Sequence, residues 1–438
     1  MAAGRPVSPR DENRKALWSW ALYDWANSAF FTIILTFIFA QYFTQGVIQD
    51  DVAGTRAWGN IVGISGIVVA LLAPILGAIA DQHGRRKPWL VICTLLCVLG
   101  SGMLWFVEPG SGELWYTAFW VGVAILGAEC AFIFYNAMLP DLASPQRLGR
   151  WSGWAWGLGY VGGVTCLVVA LFGFIEGNTD WLGLDREAME HVRATFVMVA
   201  LWYLVFSLPA FFWIPDQPAR GLSAAQAIRS GLGQLRDSLR KARELGHILR
   251  FLVARMLYTD GLATIFTFGG VYAAGTFGMD QAGVLQFAIA LNVTSGLGAL
   301  AFAWVDDALG GRNTVLLSLI GLATSALAIL LVETVLWFWI WGLILGIFVG
   351  PLQSASRSYM ARVVPPDLQT QMFGLFAFSG KATAFAGPLL VGWVTVATGS
   401  QRWGMATILG FLVVGFLIML TVPHAASVRP ENAPAGRA

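Results

Sequence analysis

Long apolar runs separated by short polar breaks set the pattern of this chain. Twelve runs are long enough to cross a bilayer: 17–43, 58–80, 88–107, 114–138, 151–175, 194–214, 248–273, 281–304, 313–332, 335–360, 371–397 and 403–422. A helix needs about 20 residues to cross about 30 Å of hydrocarbon. The runs are too continuous for the short alternating segments of a membrane β-barrel. The pattern predicts an all-α membrane protein with a tail at 1–16, six spans over 17–214, a linker at 215–247, six more spans over 248–422 and a tail at 423–438. In the linker Ile228, Leu232, Leu235 and Leu239 share one helical face, with Arg229, Arg236, Arg240 and Lys241 mostly around the other. That is either a helix lying on an anionic inner leaflet or a solvated helical connector.

Composition strengthens this picture. The 438 residues are 57% hydrophobic and only 12% charged, against about 25% charged in soluble domains. Twenty Trp and fifty Gly fit membrane interfaces and close helix contacts. Lys and Arg orient the spans. With the N-terminal side taken as inside, 21 fall in inside segments, four outside (Arg56, Arg186, Arg193, Arg402) and two within spans. This bias predicts both termini in the cytoplasm. The net charge of +2 gives no footprint for nucleic acid. The four cysteines, Cys93, Cys97, Cys130 and Cys166, lie in apolar segments and read as small core residues.

An internal repeat is visible. "DQHGRRK" follows the second span and "DALGGRN" the eighth; "PDL" recurs after the fourth and tenth; both pairs are shifted by 226 residues. The first and seventh spans align as "LYDWANSAFF" and "LYTDGLATIF", shifted by 235. Two six-helix bundles in the same orientation follow, with a solute site expected between them. The four histidines are scattered, no nucleophile–base set appears and no phosphate-binding loop occurs. No enzyme, metal or cofactor is expected.

The stretch "GAIADQHGRRKP", 77–88, resembles the loop signature of the major facilitator superfamily. The signature falls on Gly77, Asp81, Gly84, Arg85, Arg86 and Lys87; its second copy is reduced to Asp307, Gly310 and Arg312. The resemblance implies the major facilitator fold, twelve helices in two pseudo-symmetric bundles, with this loop as a cytoplasmic latch. A narrower resemblance is carried by "YDWANSAF", "FYNAMLPDLA", "GWAWGLGYVGG", "QSASRSYMARVVP" and "FGLFAFSGKATAFAGP". These are similar to the vacuolar effluxer branch, whose fungal founders release amino acids from the vacuole during autophagy. The resemblance does not carry the substrate. The Gly- and Ala-rich style fits a bacterial inner membrane.

Charged residues inside spans cost about 2.5–3.5 kcal/mol on insertion scales and by default mark a pathway. This chain has Asp24 in span 1, Glu129 in span 4, Arg255 and Asp260 in span 7, Arg357 in span 10 and Lys381 in span 11. The resemblance places spans 1, 4, 7 and 10 around the central cavity. Asp24 and Asn27 share a helical face, beside Tyr23. That face meets substrate or a proton, or Asp24 pairs with Arg255 or Arg357. Glu129, with Tyr135 and Asn136 nearer the cytoplasm, suits a proton carrier or pairs with an arginine. Asp260 beside Gly261 accompanies either exposed carbonyls or a kink with a hydrogen-bonded Asp, with Tyr258 close by. Arg357, near Gln353, holds a carboxylate or gates the cytoplasmic end. Lys381 reaches the cavity or pairs with Asp24 or Glu129. The glycines at 153, 157, 159, 162 and 163 read as one small-residue packing face.

The expectation is a monomeric secondary transporter in contact with membrane lipids. It would move a small polar solute such as an amino acid by alternating access, with H⁺ as the coupling ion. The competing readings are an exporter of amphipathic drugs and a transport-inactive sensor or scaffold.

Overall fold

The computed structural model describes residues 8–177, 182–218 and 246–425. The amphipathic segment read in the linker lies outside them. Helices in chain order are α1 (Arg14–Val47), α2 (Asp51–His83), α3 (Lys87–Met103), α4 (Leu114–Leu142), α5 (Leu148–Ala170), α6 (Glu190–Trp213), α7 (Gly246–Phe277), α8 (Gln281–Leu309), α9 (Gly311–Leu331), α10 (Val335–Val363), α11 (Gln369–Ser379), α12 (Ala386–Thr398) and α13 (Gln401–Leu420). Among the described residues eleven helices are long and apolar enough to cross a membrane. The remaining span is divided between α11 and α12.

Hydropathy predicts one continuous helix over 371–397, and the structure breaks it at 380–385. Pro388 sits in the first turn of α12; a continuous helix would drive its ring against the carbonyl four residues back. Proline alone is not sufficient, because Pro74, Pro140, Pro209 and Pro351 all lie inside unbroken helices. Here Gly380 and Gly387 flank the break, and charges from α7 stabilise it. The loosening expected at Gly261 does not occur: α7 runs unbroken through it. Departures in α1 are gentler. It opens into wider π turns at Phe30–Phe37 and Tyr42–Val47.

Two seams join the halves. α2 packs on α11, and α5 packs on α8 and α10. Glycines let the backbones touch. A β-carbon on Gly77 would strike the Thr370 carbonyl, and one on Gly374 would lie 2.5 Å from the Ala73 oxygen. On the other seam a β-carbon at Gly153 would lie 2.6 Å from the Ala299 oxygen. Such contacts matter in lipid, where helix association rests on packing. The α5 glycines do not form a single face. Gly153 and Gly157 meet α8, whereas Gly159, Gly162 and Gly163 meet α1 at Asp24, Trp25, Ser28 and Thr32.

Polar ties close the seams at the face carrying the basic loops. Asp81 accepts hydrogen bonds from the Thr370 and Gln371 amides at 3.0 and 2.8 Å, first-turn N–H groups of α11 that have no acceptor within the helix. Arg86 lies 3.5 Å from Asp81 and 2.5 Å from Asp141, and donates to Thr370 Oγ1 at 2.8 Å. Gly84 adopts φ +88°, a left-handed conformation suited to glycine. On the second seam Asp307 accepts from the Arg150 amide at 3.0 Å and lies 3.3 Å from its guanidinium. Arg85 and Arg312 depart from the latch reading. Arg85 is exposed, and Arg312 binds the carbonyls of Leu420 and Val422 within its own half. Asp306, next to the expected Asp307, pairs with Arg362 at 2.5 Å. Glu12 and Asp216 add ties that motif reading missed. Glu12 accepts from Ser144 and pairs with Arg147; Asp216 caps the first turn of α3 through the Arg86 and Lys87 amides.

Candidate functional site: a cavity between the halves

A cavity of about 850 Å³ lies between the halves. Its floor includes Asp24, Asn136 and Arg357; its walls rise past Thr36 and Phe37 on α1, Val271 and Tyr272 on α7 and Phe287 on α8. Those upper residues adjoin the loops opposite the basic face. The protein is therefore open away from its basic loops and closed beneath them.

Arg357 occupies the centre of the floor, with its side chain 1% exposed. It comes from α10, yet its acceptors come from the other half. It donates to Asp24 Oδ2 at 3.0 Å, Asn136 Oδ1 at 3.3 Å, Ser152 Oγ at 2.8 Å and the Ser152 carbonyl at 2.7 Å. The rings of Trp20, Tyr135 and Trp156 lie 4.9–5.5 Å from the guanidinium carbon. A buried ion pair is tolerable only with further hydrogen bonds, and here Nε, Nη1 and Nη2 of the guanidinium all find acceptors. The pairing of Asp24 with Arg357, one of two partners open to it, is what the structure contains. Arg357 is enclosed in this network and does not present a free fork to the cavity. Ser152, Trp20 and Trp156 were missed by sequence reasoning, because nothing local distinguishes them from packing residues.

A second tie crosses the cavity wall. Lys381 Nζ lies 2.8 Å from Glu129 Oε1, with side chains 39% and 15% exposed. Glu129 is neither lone nor paired with arginine; its partner is the lysine in the break of the eleventh span. Arg255 lines the cavity and has no carboxylate within ion-pair distance among the described residues. It donates instead to the Phe376 carbonyl at 2.6 Å and to Ser379 Oγ at 2.8 Å, and its guanidinium lies over the Phe376 ring. Asp260, expected among the pathway residues, does not line the cavity. It is 2% exposed and turned toward the start of α12, where the Gly387 amide lies 3.3 Å from it.

The remaining expected residues surround this core. Asn27 lines the cavity, and its Nδ2 has no acceptor within hydrogen-bond geometry. Gln353 donates to Tyr160 at 3.2 Å, and Tyr258 shares a hydrogen bond with Ser356 at 2.8 Å, both at the cavity edge. Tyr23 points away, into a buried set with Thr94 and Tyr203. Tyr135 stacks on Trp20 beneath the floor. No cluster of metal-binding side chains occurs among the described residues.

Residues 60–431 match the family model described as vacuole effluxer Atg22 like. The chain belongs to the Atg22-like family. It is 25% identical over 418 residues to an uncharacterized MFS-type transporter of Bacillus subtilis, covering 93% of this chain and 95% of that protein. It is 26% identical over 278 residues to autophagy-related protein 22-1 of Emericella nidulans, covering 58% of this chain and 46% of the fungal one. The chain thus spans about half the length of the fungal relatives it matches. Among solved structures the xylose symporter XylE, a major facilitator protein, superposes with TM-score 0.72 at 14% identity, over 95% of this chain and 97% of that one. The transporter FucP in its outward conformation gives 0.71 at 16%, over 94% and 99%. These likenesses show the fold. This Atg22-like chain is a multi-pass membrane protein and a major facilitator transporter, not an enzyme.

Proposed function

We propose that this Atg22-like transporter carries a small zwitterionic solute, an amino acid or a close analogue, by alternating access. The observation that carries the reading is the segregation of charge across the cavity. Among the described residues lining it, the charged groups of the N-terminal half are the carboxylates Asp24 and Glu129, and those of the C-terminal half are the cations Arg255, Arg357 and Lys381. A solute with an ammonium at one end and a carboxylate at the other matches that polarity and bridges the halves. Arg255, without a carboxylate partner, is the cation best placed to take a carboxylate. The Glu129–Lys381 pair is exposed enough for a solute to compete for it. The excess of cations disfavours the lipophilic cations of a drug exporter.

The family's description as effluxers supports an outward direction, and the basic loops favour cytoplasmic termini in a bacterial inner membrane. The resting structure then faces outward with its cytoplasmic latch closed. Proton coupling would run through Asp24 and Glu129, whose basic partners can accept or release them as the halves rock. A cavity lined from both halves of one chain supports action as a monomer.

The test is transport into proteoliposomes under an imposed pH gradient, with a panel of amino acids and a panel of lipophilic cations. Gradient-dependent amino-acid flux is expected, lost in Glu129→Gln. Flux of the cations without the amino acids would replace this reading with the drug-export one; flux of neither would overturn both.

A further inference from the structure

The break in the eleventh span has both of its ends met by α7. At the end of α11 the amide of Gly380 turns to the Ala377 carbonyl at 3.1 Å, which leaves the Phe376 carbonyl free of a continuing helical partner. Arg255 and the hydroxyl of Ser379 both donate to it, at 2.6 and 2.8 Å. At the start of α12 the Gly387 amide is one of the first-turn donors that lack an acceptor within the helix. Asp260 accepts from it, with its two oxygens at 3.4 and 3.3 Å. Thus α7 places a cation at a helix C-terminus and an anion at a helix N-terminus, five residues apart on its own length. Each sign matches the partial charge that it meets. At membrane depth such partners are required, because a buried backbone group left without one costs free energy.

Lys381 lies inside this clamped segment, one residue past Gly380, and its ammonium meets Glu129 of the opposite half. We propose that Asp260 is a positioning residue: it acts through the Gly387 amide to hold the break in the geometry that delivers Lys381 into the cavity. Gly387 belongs to the same device. A β-carbon there would strike Thr264 Oγ1 and lie 3.1 Å from Asp260 Oδ1, so the carboxylate reaches the amide only because the side chain is absent. Arg255 serves the other end and also faces the cavity. It couples the clamp to whatever occupies that space. The inference goes beyond the transport reading and is tested without any substrate.

The test uses the full-length protein in proteoliposomes with cysteine at the break, Lys381→Cys. The probe is a membrane-impermeant, charged methanethiosulfonate applied from the side to which the cavity opens. The four native cysteines are buried and give a low background. In the Lys381→Cys background, Asp260→Ala should slow modification by about tenfold, the scale expected when a charge-assisted cap is lost. Asp260→Asn, which keeps an oxygen acceptor, should restore most of the rate. Should Asp260→Ala fail to fold, Gly387→Ala makes the same test with every charge retained, and should slow labelling comparably. A reporter at Ser400→Cys, in the outer loop beyond α12, should label at the same rate throughout. Modification of residue 381 within about twofold of the parent in both variants overturns the proposal, as does an equal change at residue 400.

Discussion

α1 and α7 are repeats of one another, and they use their carboxylates in opposite ways. Tyr23 and Tyr258 occupy matching positions when the two helices are aligned. Asp24 follows Tyr23 directly, whereas Asp260 comes one position later, after Thr259. One residue along an α-helix is a rotation of about 100°. That displacement is enough to send Asp24 to the floor of the cavity, against Arg357, and Asp260 away from it, against the broken eleventh span. The neighbours differ to match. On α5 the glycines at 159, 162 and 163 bring an unbroken helix directly onto α1. On the other side a divided helix meets α7, and charge replaces close packing. The two aligned helices share a scaffold and differ in chemistry by a rotation.

This comparison can be broken most severely at Arg357. Arg357→Ala leaves Asp24 buried beneath the cavity without its cation, and should cost about 3–5 kcal/mol. A large fall in the thermal unfolding midpoint in detergent is expected, with transport lost. Combining it with Asp24→Asn should recover part of the stability and none of the transport. A midpoint unchanged in the single variant would show that the pair does not hold the floor.

The seams are the next largest target. Gly77→Leu forces a side chain into the Thr370 carbonyl and should cost about 1–3 kcal/mol of the closed basic face. A cysteine at the buried Ala137, behind the latch, should then react faster from that side. Gly153→Leu is the matching lesion on the α5–α8 seam. If only one of the two opens the basic face, the seams are not equivalent despite their similar glycine packing.

Asp260→Ala removes a cap and not a buried ion pair, so its cost should be about 1–2 kcal/mol, well below that of Arg357→Ala. Equal destabilisation by the two would erase the distinction drawn between α1 and α7. The smallest stability effect is expected at Lys381. Its ion pair is partly exposed, and Lys381→Ala should change stability by about 0–1 kcal/mol. Its mark should appear in transport kinetics instead, as a raised half-saturation concentration for the solute in the proteoliposome assay.

Much of the fold was legible in the chain because hydropathy is a local quantity. Each span declares itself by length and transfer free energy, whatever it later touches. The shifts of 226 and 235 residues then disclosed the duplication. The site was legible in part. Five of the six charged residues read as pathway groups do line the cavity: Asp24, Glu129, Arg255, Arg357 and Lys381. Asp260 was misplaced because its neighbourhood on α7 gives no sign of what will pack behind it. The break at 380–385 stayed hidden because six residues of turn inside an apolar run do not alter its mean hydropathy. Lys381 was assigned two alternative acids for a similar reason: one partner was as near as the other in any measure a single helix provides.

The amino-acid order by itself determined that this chain must reside in a bilayer, how many apolar runs it offers to cross it, that its basic loops gather on one face, and that a handful of ionisable groups must find shelter from lipid. Only the tertiary structure decided where each group found it: Asp24 on Arg357, Glu129 on Lys381, Asp260 on the backbone of a divided helix. The reason is geometric. Crossing a membrane is settled residue by residue, but an ion pair depends on helix rotation and on contact between segments as much as 333 residues apart, and neither is written in any short stretch of sequence.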